Sequence, residues 1–294
     1  MFKSSFFYPY LALLVAMFLW GSSFIALKIA VGSYHPILVI FFRMFIGTLV
    51  FLLFGSKIWP RNISWYHFKL LLFMGLLEPC LYFLFESFAL TYTSAAQASL
   101  IVATLPLMVG ILASFVLNEP FNLKMITGFL ISLIGVGLLT KASVTTNLCP
   151  DPALGNFLEF LAMIVAAGYT VLVRKLSVNF HPLFLAFVQS LLGTIFFGVL
   201  GLFWLKDLEQ INFQFKPVFA VIYLGVVVTF LAYSLYNYGL SKVEAGKAAM
   251  FTNFIPVFAV FLSWWILDET LNKIQLAGCI LVGLGIWVSQ KGDK

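Results

Sequence analysis

Apolar runs of about twenty residues follow one another along the whole chain, each long enough to cross a hydrocarbon core roughly 30 Å thick as a helix. Short stretches where Gly, Pro, Asn and charged residues cluster separate them. With those clusters as punctuation, the pattern places spans at 9–31, 35–54, 67–90, 94–117, 121–140, 154–176, 182–205, 215–240, 244–267 and 273–290. The prediction is an all-α integral membrane protein with ten transmembrane helices. A membrane β-barrel needs short alternating segments, and none appear. The first run continues through Val31 without a clear small-residue cleavage site, so it reads as a first span and not as a removed signal.

The pattern occurs twice. From Thr93 to Leu139 and again from Val243, Ala95 falls on Ala245, Ala98 on Ala248, Pro106 on Pro256, Glu119 on Glu269, Asn122 on Asn272, Gly128 on Gly278 and Gly135 on Gly285, each pair 150 positions apart. Proline, acid and glycine are scarce in apolar helices, so a constant offset across them points to an internal duplication. Gly75 recurs as Gly225 at the same offset, whereas His35-Pro36 recurs as His181-Pro182 and Lys28 as Arg174 at 146. The change in offset puts about four inserted residues in the loop from Lys206 to Phe215. With the polar stretch Lys141–Asn156 as boundary, residues 1–145 form the first five-helix repeat and 146–294 the second. An odd number of helices per repeat makes the two halves cross in opposite senses, giving inverted repeats.

Charge sets the expected orientation. With a cytoplasmic N-terminus, the inside collects Lys3, Lys57, Arg61, Lys69, Lys124, Arg174, Lys175, Lys242, Lys247, Lys291 and Lys294, and the outside only Lys141, Lys206, Lys216 and Lys273. Both termini are therefore expected in the cytoplasm, with the chain in the cytoplasmic (inner) membrane. The chain of 294 residues is 62% hydrophobic and 10% charged, far from the roughly one quarter charged of soluble domains. Its net charge of +6 comes from basic residues spread singly through loops, which argues for topology and against nucleic acid. The three cysteines have no metal-ligand spacing and imply no disulfide framework, so neither a metal nor a cofactor is expected. No GxxxxGK[ST] loop is present to bind ATP.

The order of short motifs resembles the drug/metabolite transporter superfamily, specifically its EamA-type ten-helix members. The residues that carry the resemblance are Leu19-Trp20-Gly21-Ser22-Ser23-Phe24 with Lys28, Phe42-Arg43, and Ala89-Leu90 followed by Ser94-Ala95-Ala96-Gln97-Ala98. Pro106 and Asn118-Glu119-Pro120 close the first half; Gly239-Leu240, Ala245, Ala248, Pro256 and Asp268-Glu269-Thr270 repeat the pattern. The resemblance implies a central cavity lined mainly by helices one, three, four, six, eight and nine, and movement of small organic metabolites across the cytoplasmic membrane. This chain departs from the pattern in carrying Glu78 and Glu86 on helix three, and Gln189 where an arginine is expected opposite Arg43.

Ionisable groups inside a membrane are costly, about 3 kcal/mol each on insertion scales, so they need partners, water or a task. Lys28, Arg43, Glu78 and Glu86 stand out. Pro79 puts Glu78 at an expected kink, and Tyr82 and Glu86 follow at four-residue steps, so all three can face one side of helix three. A carboxylate there can bind a substrate amino group or exchange protons as coupling ion; the structural reading pairs it with Lys28 or Arg43 as charge partners. Arg43 offers a planar donor fork suited to a substrate carboxylate or phosphate, or pins helix two to a neighbour. Lys28 can equally reach the interface.

On the helices that the resemblance assigns to the cavity, Trp20, Tyr82, Tyr169, Tyr233, Tyr236 and Asn237 are candidate substrate-binding groups, with Asn253 beside a carbonyl freed by proline. Pro106 and Pro256 are expected hinges, each freeing the carbonyl four residues earlier. Gly128, Gly135, Gly137, Gly278, Gly283 and Gly285 are expected at close helix contacts. Glu119 and Glu269 are expected to tie down loop amides and helix starts. The sequence thus favours a secondary transporter of amino acids or similar small metabolites, acting by alternating access as a monomer or homodimer in membrane lipid. The alternative is a membrane-embedded enzyme acting on a lipid, although no HExxH, GxSxG or clustered His/Asp set is present.

Overall fold

Helices form where the sequence is apolar because backbone groups in hydrocarbon must be satisfied within their own segment. The computed structural model describes residues 4–53, 59–60, 62–118, 123–142, 145–146, 148–204 and 214–290. They form α1 (Ser4–Val31), α2 (Pro36–Leu53), α3 (Trp65–Tyr92), α4 (Ala95–Val116) and α5 (Leu123–Lys141). After the linker come α6 (Pro152–Leu176), α7 (Pro182–Gly201), α8 (Phe215–Lys242), α9 (Ala245–Leu267) and α10 (Lys273–Gln290). Eight of these, α1–α4 and α6–α9, are long and apolar enough to cross a membrane, while Ile126–Lys141 of α5 and Lys273–Gly285 of α10 are shorter apolar helices. Among the described residues no strand forms; Thr146 and Cys149 make an isolated bridge. Large apolar side chains such as Phe115, Phe219, Trp264 and Trp265 are exposed on the outer surface, as lipid contact requires.

Local chemistry sets the helix starts. Pro36 and Pro182 open α2 and α7, where a missing N–H is harmless. Asp151 caps α6 by accepting from Leu154 N (3.0 Å), and Ser94 caps α4 by accepting from Gln97 N (3.2 Å). Four helices are interrupted in mid-course. In α3 a wide, π-type turn spans Leu76–Leu81, with Glu78 extended (φ −140°, ψ 118°) because the following proline disfavours helical backbone there. In α8 a π-type stretch spans Leu224–Ala232. Helix α4 breaks at Ala103 and Thr104 before Pro106, and α9 tightens to a 3₁₀ turn at Phe251–Asn253 before Pro256. Asn118 and Asp268, 150 positions apart, both adopt left-handed backbone beyond the ends of α4 and α9, a conformation their short polar side chains tolerate.

The packing comes in matched pairs. Helix α2 lies on α7, α4 on α9 and α5 on α10, while α1 against α8 has its counterpart in α6 against α3. The α5–α10 contact is close enough to need glycine: a Cβ at Gly135 would sit 2.7 Å from the Gly278 carbonyl oxygen and 2.9 Å from Val282 N. Gly128 and Gly285 meet in the same contact, but Gly137 and Gly283 have nothing within 4 Å of a built Cβ, so those two do not serve the packing expected of them. Glu119 and the basic residues Lys3, Lys57, Arg61, Lys206, Lys291 and Lys294 lie outside the described residues.

Overpacking at Gly135 costs about 1–3 kcal/mol, which outweighs the ~1 kcal/mol that alanine gains in helix propensity. Gly135→Ala is therefore expected to lower the unfolding midpoint of the detergent-purified protein, and Gly137→Ala to leave it unchanged or raise it. Equal midpoints for the two variants in a thermal melt would refute this account of the α5–α10 contact.

Candidate functional site

The interruptions in α3, α4, α8 and α9 lie beside the wall of a small central cavity of about 40 Å³. Helix α1 supplies Trp20, Ser23 and Phe24 to its wall, α2 Arg43, α3 Glu78, Tyr82, Phe83 and Glu86, and α4 Val102 and Leu105. Helix α6 adds Met163, Ala166, Tyr169 and Thr170, α8 Tyr233 and Tyr236, and α9 Ile255. The four-residue spacing of Glu78, Tyr82 and Glu86 thus brings one face of α3 to the cavity. Helix α2, expected beside the cavity, reaches it through Arg43.

The polar groups are held by one another. Tyr233 Oη donates to Glu78 Oε1 (2.5 Å), and Tyr82 Oη to Glu86 Oε1 (2.8 Å). Tyr169 Oη lies 2.9 Å from Gln189 Oε1 and 3.1 Å from Asn237 Oδ1, and the Thr170 and Tyr236 hydroxyls are 3.2 Å apart. Arg43 is buried; its Nε donates to Thr229 Oγ1 (3.0 Å), and its guanidinium carbon stands 4.2 Å from the centroid of the Phe83 ring. That is a cation–π contact in place of an ion pair. Trp20 packs on Tyr236 with ring centroids 4.6 Å apart and on Tyr233 at 5.2 Å. Trp20 Nε1, Asn237 Nδ2 and Glu86 Oε2 are buried with no hydrogen-bond partner, so the site holds both donor and acceptor capacity.

Other candidates lie elsewhere. Lys28 pairs with no cavity carboxylate: its Nζ donates to the carbonyls of Leu90 (2.7 Å), Thr93 (2.7 Å) and Leu148 (2.8 Å), tying the end of α1 to the end of α3 and the linker. Its repeat partner Arg174 makes the matching bond, Nη1 to Leu240 O (2.8 Å). Asn237 is fully buried, bonded to Tyr169, and is not part of the cavity wall, and neither is Asn253 at the end of the 3₁₀ turn. Pro106 and Pro256 follow the breaks in α4 and α9.

A second, larger hollow of about 780 Å³ opens at the end where α1 finishes, between Lys28, Leu90, Ser94, Gln97, Leu148 and the α9–α10 turn. There Glu269 accepts from Ala95 N (3.1 Å) and Ala96 N (2.9 Å), the helix-start role expected of it. Gln97 on the vestibule wall joins a buried network in which Thr93 Oγ1 donates to Asn156 Oδ1 (2.8 Å) and Asn156 Nδ2 to Thr140 Oγ1 (3.0 Å) and Gln97 Oε1 (3.3 Å).

One turn along α6 from Asn156 stands Glu159, which sequence reasoning missed. Its exposure is 0%, neither carboxylate oxygen has a hydrogen-bond partner, and it lies within electrostatic reach of Glu86. The available signal was an acid inside the apolar run 154–176. Among the described residues no group of three or more His, Cys, Asp or Glu could hold a metal ion.

A bundle of membrane-crossing helices around an enclosed polar site is the frame of a membrane transport protein. The sequence profile of the EamA-like transporter family matches residues 7–141 and again 153–290, and the chain belongs to that family, within the drug/metabolite transporter superfamily. It is 26% identical to the uncharacterized transporter YcxC of Bacillus subtilis (strain 168), covering 94% of this chain and 91% of that protein. It is 29% identical to the uncharacterized transporter YetK of the same organism (96% and 87% covered), and 26% identical to a WAT1-related chloroplastic protein of Arabidopsis thaliana (96% and 69%). A crystal structure of a protein with 18% identity superposes with a TM-score of 0.70 over 96% of this chain and 97% of its own. Family membership assigns a role in transport and not in catalysis.

Removing the Tyr233 hydroxyl leaves a Glu78 oxygen buried without its donor, at about 1–3 kcal/mol. Tyr233→Phe is expected to lower the unfolding midpoint measurably, and Tyr238→Phe, at a more exposed position one turn on, to leave it in place. An unchanged melt for Tyr233→Phe would remove the Glu78 contact from the account of the site.

Proposed function

We propose that this protein is a secondary transporter that carries amino acids or similar small organic metabolites across the cytoplasmic membrane by alternating access, with both termini in the cytoplasm. The observation that carries the reading is the makeup of the central cavity, where one buried guanidinium and the carboxylates of Glu78 and Glu86 share an aromatic-walled space. An α-amino acid presents an ammonium and a carboxylate on one carbon, and such a space offers a counter-charge to each. Trp20, Tyr82, Tyr233 and Tyr236 contribute apolar wall for a side chain. Protons are the coupling ion in this reading.

Two inverted five-helix repeats, 1–145 and 146–294, with α5 and α10 completing ten spans, are the frame we propose for the movement. The matched packing of α2 on α7, α4 on α9 and α5 on α10 supports it, as do the twofold profile match and the shared left-handed residues Asn118 and Asp268. Inverted repeats let one half rock against the other around a midplane site. The breaks before Pro106 and Pro256 give each half a place to bend, which is the hinge role assigned to both prolines.

The test is uptake of radiolabelled amino acids into liposomes holding the purified protein, with and without an imposed pH gradient. Glu78→Gln keeps the shape and the hydrogen bond to Tyr233 but removes the charge. It is expected to lower uptake about tenfold or more, the loss of one charge-assisted bond worth ~1.5–3 kcal/mol, and to flatten the pH dependence. Unaltered uptake and pH dependence in a well-expressed variant would exclude Glu78 from the site.

A further inference from the structure

Glu159 has no part in the reading above, yet among the described residues it is the most deeply buried acid. Its side chain is 0% exposed and both oxygens lack partners, and across the α3–α6 contact Glu86 leaves Oε2 equally unpartnered. Three buried acceptor oxygens on two packed helices thus have no donor, and the charge of Glu86 acts on Glu159. Leaving both carboxylates bare in so dry a place is prohibitive, and like charges at one site aggravate it. A bound cation resolves both problems.

The position of the pair suggests a task. On α6 Glu159 stands one turn after Asn156, whose network reaches Gln97 on the vestibule wall, and one turn before Met163 on the cavity wall. Glu86 lines the cavity itself and receives the Tyr82 hydroxyl. The pair thus lies between the two hollows. Other ionisable groups around it are Tyr82 and Glu78 on α3, Tyr233 and Tyr236 on α8 and Arg43 on α2, whose charge acts on Glu86 without a hydrogen bond. The lysines of the helices packed on α6, Lys69, Lys124, Lys141, Lys242 and Lys247, sit near helix ends. One guanidinium against three carboxylates leaves two negative charges unmatched.

We propose that Glu86 and Glu159 form a cation site that holds one exchangeable proton between the vestibule and the central cavity. Loading takes a proton from water in the central cavity onto one carboxylate, which forms an O–H bond and leaves a single negative charge on the pair. Release breaks that O–H bond and returns the proton to water on the vestibule side. A proton is favoured over a metal ion because the pair and its neighbours supply too few oxygens at one point for a coordination shell. Its use in coupling rests on the transport reading, but its existence does not.

Infrared pH titration of the detergent-purified, substrate-free full chain reads the pair directly. At neutral pH the wild type should show the carbonyl stretch of a protonated carboxylic acid, lost at alkaline pH and reduced in Glu159→Gln. Should Glu159→Gln fail to fold, Glu86→Gln gives the same comparison from the other partner. A wild-type band matched in both variants at every pH would overturn the proposal. So would a band abolished by sodium in place of choline at fixed pH, since a metal ion would then own the site. A band that behaves as expected in a protein with no amino-acid uptake removes the transport reading and leaves the pair. Amino-acid uptake without the band removes the pair alone.

Discussion

In hydrocarbon a polar group without a partner costs more than almost any packing defect, and that constraint accounts for where this protein is irregular. The wide turns of α3 and α8 and the breaks of α4 and α9 release backbone groups in mid-membrane. They are tolerable only where other protein atoms or water can satisfy those groups, and each break lies within two residues of the cavity wall, at Glu78, Val102 and Leu105, Tyr233, and Ile255. The charged residues obey the same constraint. Arg43 on α2, Glu78 and Glu86 on α3 and Glu159 on α6 are all buried, where the guanidinium offsets part of the cost of the carboxylates that line the cavity beside it. Cavity, breaks and charges coincide for a single reason.

Eight membrane-crossing spans, the twofold occurrence of the family pattern and the polar face of α3 were legible in the sequence because each rests on spacing along one chain. Glu78-Pro79 announced its own kink, and Glu269 its place at a helix start. What was not legible depended on depth and direction. Glu159 lies eight positions after Asp151 in sequence and reads as an interfacial acid beside the polar linker. Only the packing of α6 against α3 seals it from water. Lys28, read as a counter-charge, has the reach to find three carbonyls at the end of α3 instead. Gly137 and Gly283 share the composition of their contact helices but not the face that makes the contact.

The repeat divides the molecule by role. Where the copies agree, the residues hold the frame: Lys28 and Arg174 anchor carbonyls of Leu90 and Leu240, Asn118 and Asp268 close helices, and Gly135 and Gly285 lie in the same tight contact. Where the copies differ, the residues make the site. Arg43 answers to Gln189 at the 146 offset and Glu159 to Leu13. At the 150 offset Glu78 answers to Val228, Glu86 to Tyr236 and Phe83 to Tyr233. A symmetric frame surrounds an asymmetric set of charges.

That division bears on the proposed alternating access. If rocking exchanged the conformations of two equivalent halves, the frame contacts would be re-formed by their counterparts, but no counterpart exists for Arg43 or for any of the three carboxylates. The same side chains must therefore meet the ligand from either side of the membrane. Tyr233 on Glu78, Tyr82 on Glu86 and Thr229 on Arg43 hold this set together across α2, α3 and α8. Breaking these bonds without replacement in a dry interior would cost more than bending helices already interrupted. The compliant parts are then α4 and α9, which supply the wall only Val102, Leu105 and Ile255, apolar residues that can slide without losing a hydrogen bond. Charge recognition and gating thus fall to different helices, which lets the gate move while the binding groups stay in place.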